Sequence, residues 1–179
     1  MIQFVAFLRG INVGGHVVKK ETLQAAFTSL GFRNVSTYKQ SGNVIFEADS
    51  ANTIELKAKI EETLESILGF SVSTILRSMI YLRSIVEREP FKFQNFNGAS
   101  FLVTLLPNPP PPAFVSLLPI TIPKSTAQVI AASGNEIYSV THGGGEGALP
   151  NPFVESKLKM KATTRNMNII KEIVKKFNT

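Results

Sequence analysis

The stretch Phe4-Val5-Ala6-Phe7-Leu8-Arg9-Gly10-Ile11-Asn12-Val13-Gly14-Gly15 joins an apolar run to a glycine-rich turn. Residues 2–8 are apolar on both alternating faces apart from Gln3, the pattern of a strand covered on both sides. A helical pattern follows over residues 20–30. Leu23, Ala26, Phe27 and Leu30 recur at i, i+3, i+4 and i+7, and Gly31 is a stop signal. The chain therefore opens as strand, glycine turn, helix.

Working outward, residues 35–39 and 44–47 read as two strands. Gln40-Ser41-Gly42-Asn43 turns between them, with Gly42 supplying a positive φ. A helix over residues 53–68 turns Leu56, Ile60, Leu64, Ile67 and Leu68 inward, pairs Glu55 with Lys59, and stops at Gly69. A strand over residues 72–76 completes the order β-α-β-β-α-β, the split βαβ or ferredoxin-like pattern, over residues 1–76.

Ser78 caps a helix to about residue 88, with Pro90 just beyond. Phe91-Lys92-Phe93-Gln94-Asn95-Phe96 is an aromatic loop, and residues 101–106 form a strand. Pro107-Asn108-Pro109-Pro110-Pro111-Pro112 is a stiff connection into a helix over residues 113–118. Residues 128–132 and 136–141 form a hairpin around Ser133-Gly134-Asn135. A glycine loop, His142-Gly143-Gly144-Gly145-Glu146-Gly147, leads to a helix over residues 153–158. The last helix is expected to start at Thr163 or Thr164, with Met167, Ile170, Ile173, Val174 and Phe177 as its stripe. Residues 77–179 thus read as a second, incomplete ferredoxin-like unit that lacks its last strand. The expected fold is α+β: two ferredoxin-like (split βαβ) units, with mixed or antiparallel sheets, helices packed on them, and each sheet covering the other's open face.

Three blocks carry a family resemblance. They are Phe7-Leu8-Arg9-Gly10-Ile11-Asn12-Val13-Gly14-Gly15, Thr37-Tyr38-Lys39-Gln40-Ser41-Gly42-Asn43-Val44-Ile45-Phe46 and Thr163-Thr164-Arg165-Asn166. In this order the chain resembles the bacterial "domain of unknown function 1697" family. The family continues its last block with tryptophan, asparagine and threonine, where this chain has Met167, Asn168 and Ile169. The resemblance implies an α+β fold of two ferredoxin-like units and no particular activity.

Composition narrows the function classes. The chain has no cysteine, which excludes disulfides, a thiol nucleophile and thiolate metal sites, and fits a reducing cytosol. No apolar run reaches the ~18 residues of a membrane span, and the first apolar run lacks the basic flank of a signal peptide. Nothing in the sequence calls for a cofactor or a metal: His16 and His142 stand far apart. The net charge of +6 is concentrated from Lys157 onward, in Lys157, Lys159, Lys161, Arg165, Lys171, Lys175 and Lys176 against Glu172. Such a tail attracts nucleic acid or phosphorylated ligands, or is the solvated face of a helix.

The opening loop suits an anion, because glycine turns bring backbone N–H groups close to a ligand and Arg9 adds a cation. It is not a Walker A loop: Gly10 and Gly15 have that spacing, but His16 and Val17 replace the lysine and hydroxyl. It is not G-x-G-x-x-G either, since Asn12 holds the second glycine position. Arg165, read in the first turn of the last helix, opposes the macrodipole by ~0.3–1 kcal/mol unless an anion answers it. The expected site gathers Arg9, Gly10, Asn12, Gly14, Gly15, Gln40, Ser41, Asn43, Arg165 and Asn166 around a small anionic, phosphate-bearing ligand. Two other readings stand beside it. One is a sequence-independent nucleic-acid module using the basic tail, the other a protein-interaction scaffold using the polyproline run or the last helix. No motif marks a reaction.

Overall fold

In the computed structural model of the chain, residues 1–12, 15, 17–39, 42–92, 98–142 and 149–177 are described. The chain divides into two compact units, Met1–Leu82 and Arg83–Thr179.

The first unit runs β1 (Ile2–Arg9), α1 (Lys20–Ser29), β2 (Arg33–Thr37), β3 (Asn43–Ala48), α2 (Thr53–Leu68) and β4 (Ser73–Ser78). Its sheet has the order β2-β3-β1-β4, with every neighbouring pair antiparallel. This is the ferredoxin-like arrangement. On one face Phe4, Ala6 and Leu8 of β1 meet Leu23 and Phe27 of α1 and Leu56, Ile60 and Leu64 of α2. Phe46 sits at the centre, with its ring centroid 4.5 Å from Phe32, 5.2 Å from Phe27 and 5.8 Å from Phe4. Val5, Phe7 and Ile45, on the other face, are also buried, as the doubly apolar pattern of β1 requires.

Helix α2 is delimited by the signals in its sequence. The Asn52 side chain accepts from the Glu55 N–H at 3.3 Å, and Gly69 takes the left-handed φ of +76° that ends the helix. Glu55 and Lys59 pair at 2.8 Å. No helix among the described residues is long and apolar enough to cross a membrane.

Helix α3 (Met79–Glu87) follows, its first turn capped by the Ser78 hydroxyl, which accepts from the Tyr81 N–H. The second unit then runs β5 (Ala99–Leu105), α4 (Pro112–Val115), β6 (Ile120–Thr121), β7 (Ala127–Ser133), β8 (Glu136–His142), α5 (Asn151–Leu158), β9 (Thr163–Asn166) and α6 (Met167–Lys176). Its antiparallel sheet has the order β6-β7-β8-β5-β9. Without the two-residue strand β6, this is the order of the first sheet.

One sequence expectation is corrected here. Thr163 to Asn166 is a strand paired with β5, not the start of the last helix. The second unit therefore has its final strand and is not missing one. Two threonines serve an N-cap and a strand equally well, and here their β-branched side chains go to the sheet. Asn166 is the actual cap: its side-chain oxygen accepts from the Asn168 N–H at 2.9 Å.

A polar chain holds β9 against α5 and β5. The Thr104 hydroxyl lies 2.8 Å from that of Thr164, which donates to the Asn151 side-chain oxygen, while Asn151 Nδ2 donates to the Ala162 carbonyl. Thr104 is fully buried. Thr164→Val is expected to lower stability by about 1–3 kcal/mol in urea unfolding, because it strands the polar groups on either side. An unchanged midpoint would show that the hydroxyl is dispensable.

Candidate functional site

Antiparallel pairing of β1 and β3 brings the end of β1 beside the start of β3, with Phe7 opposite Asn43. The opening loop and the β2–β3 connection therefore lie at one end of the first sheet. The Leu8 N–H donates to the Gly42 carbonyl at 2.8 Å. Gly42 has a φ of +69°, and a Cβ there would stand 2.8 Å from Ile11 Cδ1 and 3.1 Å from the Leu8 carbonyl oxygen. Only glycine lets these two segments approach so closely.

Each segment is also closed on itself. Gly10, Asn12 and Gly15 all have positive φ, and the Asn12 side-chain oxygen accepts from the Val18 N–H at 2.9 Å. In the hairpin the Tyr38 N–H donates to the Asn43 carbonyl, and Asn43 Nδ2 donates to the Tyr38 carbonyl at 3.0 Å. Both asparagines thus use part of their hydrogen-bonding capacity to shape the backbone.

Between the loop, the first turn of α1 and the hairpin lies a cleft of about 630 Å³. Its polar walls are Asn12, Lys19, Lys20, Glu21, Thr37, Lys39 and Asn43, and its apolar ones Val17, Val18 and Leu23. Among the described residues that line it, three are lysines and one is a glutamate, so the lining carries a net positive charge, with the Lys39 ammonium 5.6 Å from the centre of the Tyr38 ring. The Lys20–Glu21 pair is 3.7 Å apart and well exposed, worth only ~0–1 kcal/mol, so it screens the field weakly. Lys19 precedes the first turn of α1 and makes no side-chain cap, and the positive end of the helix dipole adds to the same potential.

The cleft contains part of the site expected from sequence. Asn12 and Asn43 line it, and Gly10 and Gly15 set the backbone of its loop. Arg9 ends β1 opposite Ser73 and is partly buried; among the described residues it is not in the lining. Gly14, Gln40 and Ser41 lie outside the described residues. Arg165 and Asn166 belong to β9 of the second unit. Arg165 is in mid-strand, so the macrodipole argument made for it does not apply. Its guanidinium donates to the Thr163 hydroxyl at 2.7 Å and the Thr164 carbonyl at 2.9 Å, and burial pushes its pKa down to about 10. It remains a cation at neutral pH.

Sequence reasoning missed Lys19, Lys20, Lys39 and Thr37. The available signal was topological: these residues flank the β1–α1 loop and the β2–β3 connection of a split βαβ unit, which antiparallel pairing places at one end of the sheet. On the alternative surface, α6 buries Met167, Ile170 and Ile173 and leaves Lys171, Lys175 and Lys176 exposed. The last two also complement the helix C-terminus. The polyproline run leads into α4, with Pro112 in its first turn. An RNA-recognition sheet needs exposed stacking aromatics on its central strands, and Phe7 here is fully buried.

The fold and the cleft together describe an α+β protein built from two ferredoxin-like units, with a cationic recess at the loop end of the first. The chain belongs to the DUF1697 family, a protein family of unknown function, whose model matches residues 1–138. A solved structure, that of a conserved bacterial protein from Streptococcus pneumoniae, is 21% identical to the chain, with a TM-score of 0.69. The similarity covers 100% of this chain and 99% of that one and speaks for the shared fold. No curated protein matches the chain.

Proposed function

We propose that this is a cytoplasmic protein that binds a small anionic, phosphate-bearing ligand in the cleft of its first unit. The observation that supports this reading is the gathering of Lys19, Lys20 and Lys39 in the lining of one recess of about 630 Å³, where Glu21 is the one acidic residue among the described residues. That volume lies in the ~300–1,000 Å³ range of organic ligand sites. Thr37 adds a hydroxyl to the lining, while Asn12 and Asn43 hold the backbone of the two segments that frame it.

Isothermal titration of the full chain with inorganic phosphate and with ribose 5-phosphate tests it. Lys39→Ala is expected to weaken binding about tenfold, the worth of one charge-assisted contact at a partly exposed site. Lys39 is exposed, so the substitution leaves the fold intact. Binding unaffected by Lys39→Ala and by Lys19→Ala would overturn the assignment. Binding of long duplex DNA that falls steeply with salt and survives both substitutions would instead move the activity to the basic face of α6.

A further inference from the structure

The cleft is larger and more mixed in character than a bare phosphate needs. Val17, Val18 and Leu23 share its walls with the lysines. Val18 and Leu23 are buried and belong to the core, but Val17 is 83% exposed at the cleft. It stands two residues before Lys19, so an apolar side chain and an ammonium group reach the same recess from one short segment. Thr37 and Lys39 alternate in the same way on the opposite wall, on either side of Tyr38. Each wall thus combines a cation with a neutral contact.

We infer that the ligand is a phosphate ester with an apolar ring, of the size of a nucleoside monophosphate, rather than a free inorganic anion. This deepens the proposed reading and rests on it. The lysines take the phosphate. The ring covers Val17, which removes apolar surface from water on both partners. The Thr37 hydroxyl hydrogen-bonds the polar groups between ring and phosphate.

The test compares AMP, ribose 5-phosphate and inorganic phosphate by isothermal titration with the full chain, with adenosine as the uncharged control. AMP is expected to bind at least about tenfold more tightly than ribose 5-phosphate, the equivalent of covering one valine-sized apolar group. Val17→Ser should remove that advantage and leave the affinity for inorganic phosphate unchanged; the side chain is exposed, so folding is unaffected. Equal affinities for the three phosphates overturn this inference and leave the anion cleft standing, as does an AMP preference that survives Val17→Ser. Adenosine binding as well as AMP, or no phosphate binding at all, overturns both.

Discussion

Replacing Phe46 with alanine should cost the protein about 3–5 kcal/mol, the range for emptying a large aromatic site in a closed core. Phe46 is fully buried and touches three other rings, those of Phe4, Phe27 and Phe32. These rings come from β1, α1 and the α1–β2 connection, so the cavity would open where three segments meet. Each aromatic pair adds ~0.5–1.5 kcal/mol beyond its buried area. Relaxation is limited because β3 pairs on both sides, with β1 and β2, and cannot shift inward without breaking a ladder. A unit of this size has a stability of only roughly 4–12 kcal/mol at ~0.05–0.15 kcal/mol per residue, so the variant sits near the edge of folding. Urea unfolding followed by circular dichroism measures the loss, and hydrogen exchange at β1 and β3 amides locates it. A loss under about 1 kcal/mol would mean that the four rings do not form one packed cluster.

Part of that cluster was legible in the sequence: the helical stripe of α1 turns Phe27 inward, whereas β1, apolar on both faces, leaves the face of Phe4 undecided. The i,i+4 ion pair and the stop glycine of α2 were legible too, since both are local in sequence. What was not legible is non-local. Thr163 and Thr164 satisfy the local rules for a helix start and for a strand, and only pairing with β5, some sixty positions earlier in the chain, decides between them. The candidate cleft failed to appear for a related reason. Lys19, Lys20 and Lys39 form no motif and no periodic stripe, and they become neighbours only because β1 and β3 run antiparallel. Asn12 and Asn43 were visible as polar loop residues, but their bonds to Val18 and Tyr38 depend on left-handed backbone that composition does not specify.

Gly42 is where fold and cleft depend on the same atom, so Gly42→Ala is expected to damage both. Its φ of +69° alone costs an alanine ~1–2 kcal/mol. The added Cβ would also meet Ile11 Cδ1 at 2.8 Å and the Leu8 carbonyl at 3.1 Å, an overpacking penalty of ~1–3 kcal/mol. Together the loss is about 2–5 kcal/mol. Gly31 has a similar φ of +81° but open space where its Cβ would go, so Gly31→Ala carries the backbone term without the clash. The difference between the two variants isolates the close approach. Since Ile11 is one of the obstructing groups, Ile11→Ala combined with Gly42→Ala should destabilise less than the sum of the single changes, a coupling of ~0.5–3 kcal/mol. Strict additivity would show that the hairpin tip does not press on the opening loop. The cleft gives the second readout, because Gly42 and its neighbour Asn43 line it and Lys39 stands at the other end of the same turn. Relieving the clash pushes the tip away from β1 and moves Lys39 relative to Lys19. Phosphate affinity should therefore fall in Gly42→Ala and hold in Gly31→Ala, whose site at the end of α1 lies at the opposite end of that helix from the cleft.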